Sequence, residues 1–307
     1  MIANSIKELI GNTPLVRLNH LSEQSGATIL GKCEFMNPTS SVKDRIALNM
    51  IESAITDGTI TPDTTIIEPT SGNTGVGLAA ICASKGLKLI LTMPESMSIE
   101  RRKLLSHLGA KLVLTPAERG MNGSIAEAVK LRDTTENSIL LQQFQNPNNP
   151  DIHRKTTAVE ILNDTQNHLD IFVAAVGTGG TLSGTGERLK EEIPSLSIIA
   201  VEPADSAVLS GNPPAPHKIQ GIGAGFIPDN LNTAIYDGVI KVTNEEAFAM
   251  ARETARAEGL LIGISSGANL QAAYEIACRE ENRGKTIVTI LCDTAERYLS
   301  TELFEQE

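Results

Sequence analysis

The sequence predicts an α/β protein of two lobes, each a mainly parallel twisted sheet flanked by helices. Three observations predict it. Short runs rich in β-branched and aliphatic residues alternate with longer stretches of helical periodicity, the pattern of strands joined by crossover helices. With 307 residues, 41% of them hydrophobic, the chain is long enough for more than one core. Segment Phe144–Pro150 (FQNPNNP), dense in Asn and Pro, breaks both periodicities and is expected to join the lobes.

In chain order, the expected strands are Thr64–Ile67, Lys88–Thr92, Lys111–Leu114, Ile171–Val176, Ser197–Val201, Val239–Val242 and Thr286–Leu291. Each is short, aliphatic and bounded by polar or turn residues. A helix with Ile46, Met50 and Ile51 on its apolar side precedes the first of them, and another runs through Leu78–Ala83. Ser98–Leu108 is expected to be helical, with apolar Ile99, Leu104, Leu105 and Leu108. A second loop, Ser210–Pro216, leads into the Gly-rich Gln220–Gly225, and no internal repeat or low-complexity tail is found.

Acidic residues outnumber basic ones 37 to 26, and the net charge of -11 offers no positive field for nucleic acid or an anionic membrane. Small molecules are the expected partners. No apolar run approaches the roughly 20 residues of a membrane helix. Met1–Leu9 carries Asn4, Lys7 and Glu8 among its apolar residues and lacks a signal-peptide core. Cys33, Cys82, Cys278 and Cys292 form no C-x-x-C pair and none stands at ligand spacing from a histidine, so neither a disulfide framework nor a bound metal is expected. A reducing cytoplasm fits best.

Three segments carry chemistry. Asn37–Arg45 (NPTSSVKDR) is a turn entering a helix, with Ser41 and Asp44 at capping-box spacing. Lys43 then falls in the first helical turn, where the helix dipole and burial both favour the neutral amine that condenses with a carbonyl group. A solvated surface lysine is the alternative, and local features alone favour it. Ile66–Gly77 (IIEPTSGNTGVG) reads as a strand end, a turn and a helix. Backbone N–H groups at that helix start, joined by the side chains of Thr70, Ser71, Asn73 and Thr74, form a cradle for a carboxylate; an ordinary capped turn is the alternative. Ile171–Thr185 (IFVAAVGTGGTLSGT) repeats the strand, turn and helix. Its glycines Gly177, Gly179 and Gly180 let the backbone approach a phosphate, with the hydroxyls of Thr178 and Thr181 beside them. A dinucleotide fingerprint would need glycine where Leu182 stands, and a P-loop would need a lysine that the turn lacks. Glu202, at the end of the next strand, mimics the ribose-binding acid of a dinucleotide fold and is the one feature favouring that reading.

In order and spacing these segments resemble the β family of pyridoxal-phosphate (PLP) enzymes, fold type II, whose architecture is that of the tryptophan synthase β subunit. The similarity runs from Ile10 to Phe304. It rests on Gly11–Leu18 (GNTPLVRL), Ser41–Arg45 (SVKDR), Thr70–Gly75 (TSGNTG), Met93–Arg102 (MPESMSIERR), Gly177–Thr181 (GTGGT) and Gly263–Ala268 (GISSGA). Within the family the chain is similar to the O-acetylserine sulfhydrylases, or cysteine synthases, and His217–Pro228 (HKIQGIGAGFIP) is similar to their A isozymes.

The resemblance implies a transferase that replaces the acetoxy group of O-acetyl-L-serine with sulfide, giving L-cysteine and acetate. By it, Lys43 holds PLP and then acts as the base at Cα. Thr70, Ser71, Asn73 and Thr74 bind the substrate carboxylate with help from Gln145, and Asn73 also reaches the cofactor's 3-oxygen. Gly177, Thr178, Gly179, Gly180 and Thr181 hold the phosphate. Ser265 meets the pyridine nitrogen, with Ser266 as the second candidate. A serine there leaves PLP a weaker electron sink than an aspartate would, which suits loss of a β-substituent. The Gly221–Gly225 loop is implied to close behind the substrate and exclude water. Residues 36–146 are implied to form a smaller, mobile, carboxylate-binding lobe, and 1–35 with 147–307 a larger lobe contacting the phosphate and pyridine. A homodimer is implied, as is docking of the C-terminal tail of serine acetyltransferase.

One departure stands out: the family segment D/S-S-G-E-R reads DTAER at Asp293–Arg297, and Ala295 in place of glycine is expected to alter a turn or the back of the site. Histidines 20, 107, 153, 168 and 217 are scattered and read as surface or satisfied groups. Arg101 and Arg102 read as a solvated helix face. Two further readings remain open: another β-replacement or β-elimination on serine derivatives, and a binding partner without turnover.

Overall fold

The computed structural model describes residues 2–305. Its strands are β1 (Leu15–Arg17), β2 (Thr28–Cys33), β3 (Thr65–Pro69), β4 (Lys88–Pro94), β5 (Lys111–Thr115), β6 (Ser138–Leu140), β7 (Ile171–Ala175), β8 (Ser197–Pro203), β9 (Gly238–Val242) and β10 (Thr286–Leu291). The α-helices are α1 (Asn19–Ser25), α2 (Lys43–Thr56), α3 (Asn73–Lys85), α4 (Ile99–His107), α5 (Gly120–Thr134), α6 (Asn148–Ile152), α7 (Ala158–Thr165), α8 (Gly180–Glu192), α9 (Asn244–Glu258) and α10 (Ile264–Ala277). Two compact units divide the chain: the residues up to Ile10 with Val42–Asn148, and Gly11–Ser41 with the residues from Asn149 onward.

The first unit holds a four-stranded sheet in the order β5-β4-β3-β6, every pair parallel. Ile66, Ile67 and Glu68 are all buried, the unbroken burial expected of a parallel strand covered on both faces. Ile67 and Ile90 pack with Ala128 of α5. In α4, Ser98 caps the start by accepting from the Arg101 N–H at 3.4 Å. Only Leu105 of that helix is buried, while Ile99 and Leu104 are exposed. Five residues apart, those two lie about 140° apart around the axis and cannot share its buried stripe. The N-cap of α2 is Val42, one residue after the Ser41 of the expected capping box, and Val42 makes no side-chain cap bond. Ser41 belongs to the second unit and forms a β-bridge there with Asp293.

The second unit holds a six-stranded sheet in the order β1-β2-β10-β7-β8-β9, parallel except for the antiparallel β1–β2 pair. Its main core gathers Ile29, Val173, Val201, Phe248, Leu270 and Ile287 around the nearly all-buried α10. Buried Lys32, on β2, donates to the Thr13 carbonyl and pairs with Glu160 at 2.8 Å. Thr13 in turn donates to buried Glu34 at 2.7 Å, which fixes the turn before β1. Among the described residues, Cys33, Cys82, Cys278 and Cys292 form no disulfide. Among the described residues, no helix is long and apolar enough to cross a membrane, and no cluster of His, Cys, Asp or Glu could hold a metal ion.

Candidate active site

In an open parallel sheet, ligands are taken beyond the carboxyl ends of the strands where the strand order reverses. Both units have such a point. In the first, the chain winds from β3 through β4 to β5 and returns to the far side of β3 as β6. Thr70, Ser71, Asn73 and Thr74 lie at the end of β3, leading into α3, and Gln143 follows β6. A 2.7 Å bond from the Thr74 hydroxyl to Gln143 Oε1 spans the reversal. Lys43, half-buried, opens α2, and α2 packs on α3. Gly77 permits this approach: a Cβ there would sit 3.2 Å from the Lys43 carbonyl oxygen and 3.0 Å from Ala47 Cβ. The donor turn is thereby held beside the lysine helix.

Gln145, singled out from sequence, is exposed and accepts from Gln142 Nε2 at 3.3 Å; the glutamine joined to the TSGNTG segment is buried Gln143. In FQNPNNP and the residues before it, a burial pattern too short to have a period hid this distinction. Arg101, read as a solvated face, donates from Nη1 to the Ser71 carbonyl at 3.0 Å and braces the same turn.

The second unit reverses between β7 and β10. Gly177–Thr181 follows β7 and enters α8, with Gly179 in the left-handed region at φ 83°. Asn149 Nδ2 donates to Thr178 Oγ1 at 3.0 Å, and buried His153 bridges Thr181 Oγ1 (3.2 Å) and Thr157 Oγ1 (2.9 Å). His153 begins a π-helical turn, His153–Thr157, a distortion that often marks functional sites. The Gly221 carbonyl oxygen lies only 2.3 Å from where a Cβ of Gly177 would be, and a Cβ on Gly221 would be 3.8 Å from Ser265 Oγ. The glycine turn, Gly221 and Ser265 therefore converge. Ser266 Oγ accepts the Cys292 N–H at 2.8 Å, whereas among the described residues Ser265, also buried, takes no hydrogen bond through its hydroxyl.

The family model for pyridoxal-phosphate dependent enzymes matches residues 6–293. The chain belongs to that family. This PLP-dependent enzyme is 52% identical over 302 residues to a cysteine synthase of Staphylococcus aureus, covering 98% of this chain and 97% of the relative. It superposes with a TM-score of 0.97 on the crystal structure of a cysteine synthase from Entamoeba histolytica, at 44% identity over 100% of this chain and 92% of the other. A hydrogen sulfide-producing enzyme from Fusobacterium nucleatum matches with a TM-score of 0.94 and 44% identity, over 97% and 99% of the two chains.

The residues fit the cofactor. A phosphate suits the glycine-rich turn at an α8 N-terminus whose first backbone N–H groups have no helical partner, and the unengaged Ser265 hydroxyl suits a ring nitrogen. The dinucleotide alternative loses its acid: Glu202 accepts from the Leu209 and Ser210 N–H groups at 2.7 and 3.1 Å and from the Ser210 hydroxyl. Ala295 alters no turn by its conformation, since it lies outside the left-handed residues, within a short 3-10 turn, and adds its methyl to the core.

Proposed function

We propose that this enzyme is a cysteine synthase, converting O-acetyl-L-serine and hydrogen sulfide to L-cysteine and acetate. The observation that carries it is the placement of each motif at the reversal point of its own sheet, donors for a carboxylate in one unit and a phosphate turn with an unengaged serine in the other. When bound, PLP supplies the electron sink that acidifies Cα and lets the β-acetoxy group leave. Lys43 would hold it, and the lysine amine, freed when the substrate amine takes its place, would take the Cα proton and return it after sulfide adds at Cβ. Thr70, Ser71, Asn73 and Thr74 orient the substrate by its carboxylate, with Thr74 set by Gln143. Gly177–Thr181 take the phosphate and Ser265 the pyridine nitrogen. A hydroxyl is too weak an acid to protonate that nitrogen fully, which favours departure of a β-substituent over prolonged charge on the ring. The Gly221–Gly225 loop excludes water.

An A-type isozyme would also be a cytoplasmic homodimer and take the tail of serine acetyltransferase at Thr70–Thr74. A reducing compartment is consistent with Cys33, Cys82, Cys278 and Cys292 forming no disulfide among the described residues. The Fusobacterium match favours a second reading, β-elimination that releases sulfide.

Absorption spectroscopy tests both. With no Trp and three Tyr, the protein leaves the cofactor's visible band unobscured. The band should shift on addition of O-acetylserine and return with sulfide as cysteine appears, and Lys43→Ala should abolish turnover. A band indifferent to O-acetylserine overturns the proposal, and sulfide release from cysteine in its place establishes the second reading.

A further inference from the structure

Glu68 is a carboxylate with 1% exposure at the end of β3, two residues before Thr70. Its oxygens point across the sheet reversal to the chain leaving β6. There Oε2 accepts the Gln142 N–H at 2.9 Å, Oε1 accepts the Gln143 N–H at 3.0 Å, and the Leu141 N–H adds a third donor. Gln142 is held in the left-handed region at φ 58°, which a residue with a side chain adopts only under local constraint. The next residue is Gln143, whose Oε1 takes the Thr74 hydroxyl proton. A chain of contacts thus runs from one buried acid, through a strained backbone corner, to the hydroxyl of a carboxylate-cradle residue. The carbonyl side of that corner is held by the Gln145 and Asn146 N–H groups, which both donate to the Gln142 carbonyl at 2.9 Å, and the acid takes the N–H side.

We propose that Glu68 is a positioning residue for the amino-acid substrate: by gripping the 141–143 backbone it sets Gln143, and through it Thr74, for the substrate carboxylate. The inference rests on the reading of Thr70–Thr74 as the carboxylate cradle. Glu68 touches no reacting atom, and its loss affects binding of O-acetylserine rather than the chemical step.

Glu68→Gln puts an amide N–H against a backbone N–H and releases the corner. In the PLP-loaded enzyme it should raise KM for O-acetylserine about tenfold, the worth of one hydrogen bond, with kcat within about twofold and the visible band unchanged. Adding Gln142→Gly, which adopts the left-handed corner without constraint, should recover most of that KM. Should Glu68→Gln fail to fold, Glu68→Asp, which withdraws the carboxylate by one methylene, answers the same question. An unchanged KM, or a loss of kcat and PLP content along with KM that Gln142→Gly does not repair, overturns the inference. Thr74→Ala, run in parallel, separates the two claims. If it raises KM and the Glu68 variants do not, only the Glu68 inference fails. If it leaves KM unchanged, the cradle reading fails and takes this inference with it.

Discussion

Two adjacent serines at the head of α10, ranked Ser265 before Ser266 for the pyridine nitrogen by the family resemblance, differ in their hydrogen bonding. Ser266 is structural, because its oxygen satisfies the Cys292 N–H; Ser266→Ala should cost about 1–3 kcal/mol in urea unfolding by stranding that donor, while the visible band persists. Ser265→Ala should leave stability almost unchanged and lower kcat/KM about tenfold, one hydrogen bond to the ring. The reverse pattern would exchange the roles. Glu68 gives the residue scale a pH dependence. Burial pushes its carboxyl up from 4.5 to about 7, opposed by the N–H groups of Gln143, Gln142 and Leu141. Between those values the folded protein keeps a proton that the unfolded chain gives up, so stability falls as pH rises through that window, by about 3 kcal/mol, and levels off above it. Glu68→Gln does not titrate, so the wild-type urea midpoint should decline relative to the variant as pH rises from 4.5 to about 7. A relative rise would mean that the three N–H groups outweigh burial and keep the group charged.

At the scale of elements, the contact of α2 with α3 depends on one missing side chain. Gly77→Ala places a methyl against the Lys43 carbonyl and Ala47, and the helices must part by a few tenths of an ångström. The expected cost is about 1–3 kcal/mol of stability with a fall in kcat, read by thermal unfolding and turnover. Strands were legible wherever aliphatic runs were long enough to carry a signal: β3, β4, β5, β7, β8, β9 and β10 all begin within one residue of the expected position. β1 and β6 went unread because three residues, LVR and SIL, have no period. β2 was hidden by Gly31 and Lys32, a glycine that packs against Leu291 and a buried lysine whose carboxylate partners lie more than a hundred residues away on α7. The contacts that organise the candidate site were equally invisible. The bonds of Thr74 to Gln143, Arg101 to Ser71 and Thr181 to His153 join residues 28 or more apart, and local composition carries no trace of them.

For the whole molecule, fold class and family followed from strand and helix alternation and from motif order, because both are properties of the linear chain. Sheet order is not. The six-stranded sheet places its last-made strand, β10, between β2 near the beginning and β7 in the middle. On a ribosome this means that β2 is exposed with one edge unpaired while about 250 further residues are added, roughly 12 to 50 seconds at ordinary elongation rates. The four-stranded sheet has all its strands by Leu140 and can form during that interval. The nascent chain therefore carries one finished unit and one open strand edge together, and the stretch of synthesis between β7 and β10 is when a chaperone has most to protect.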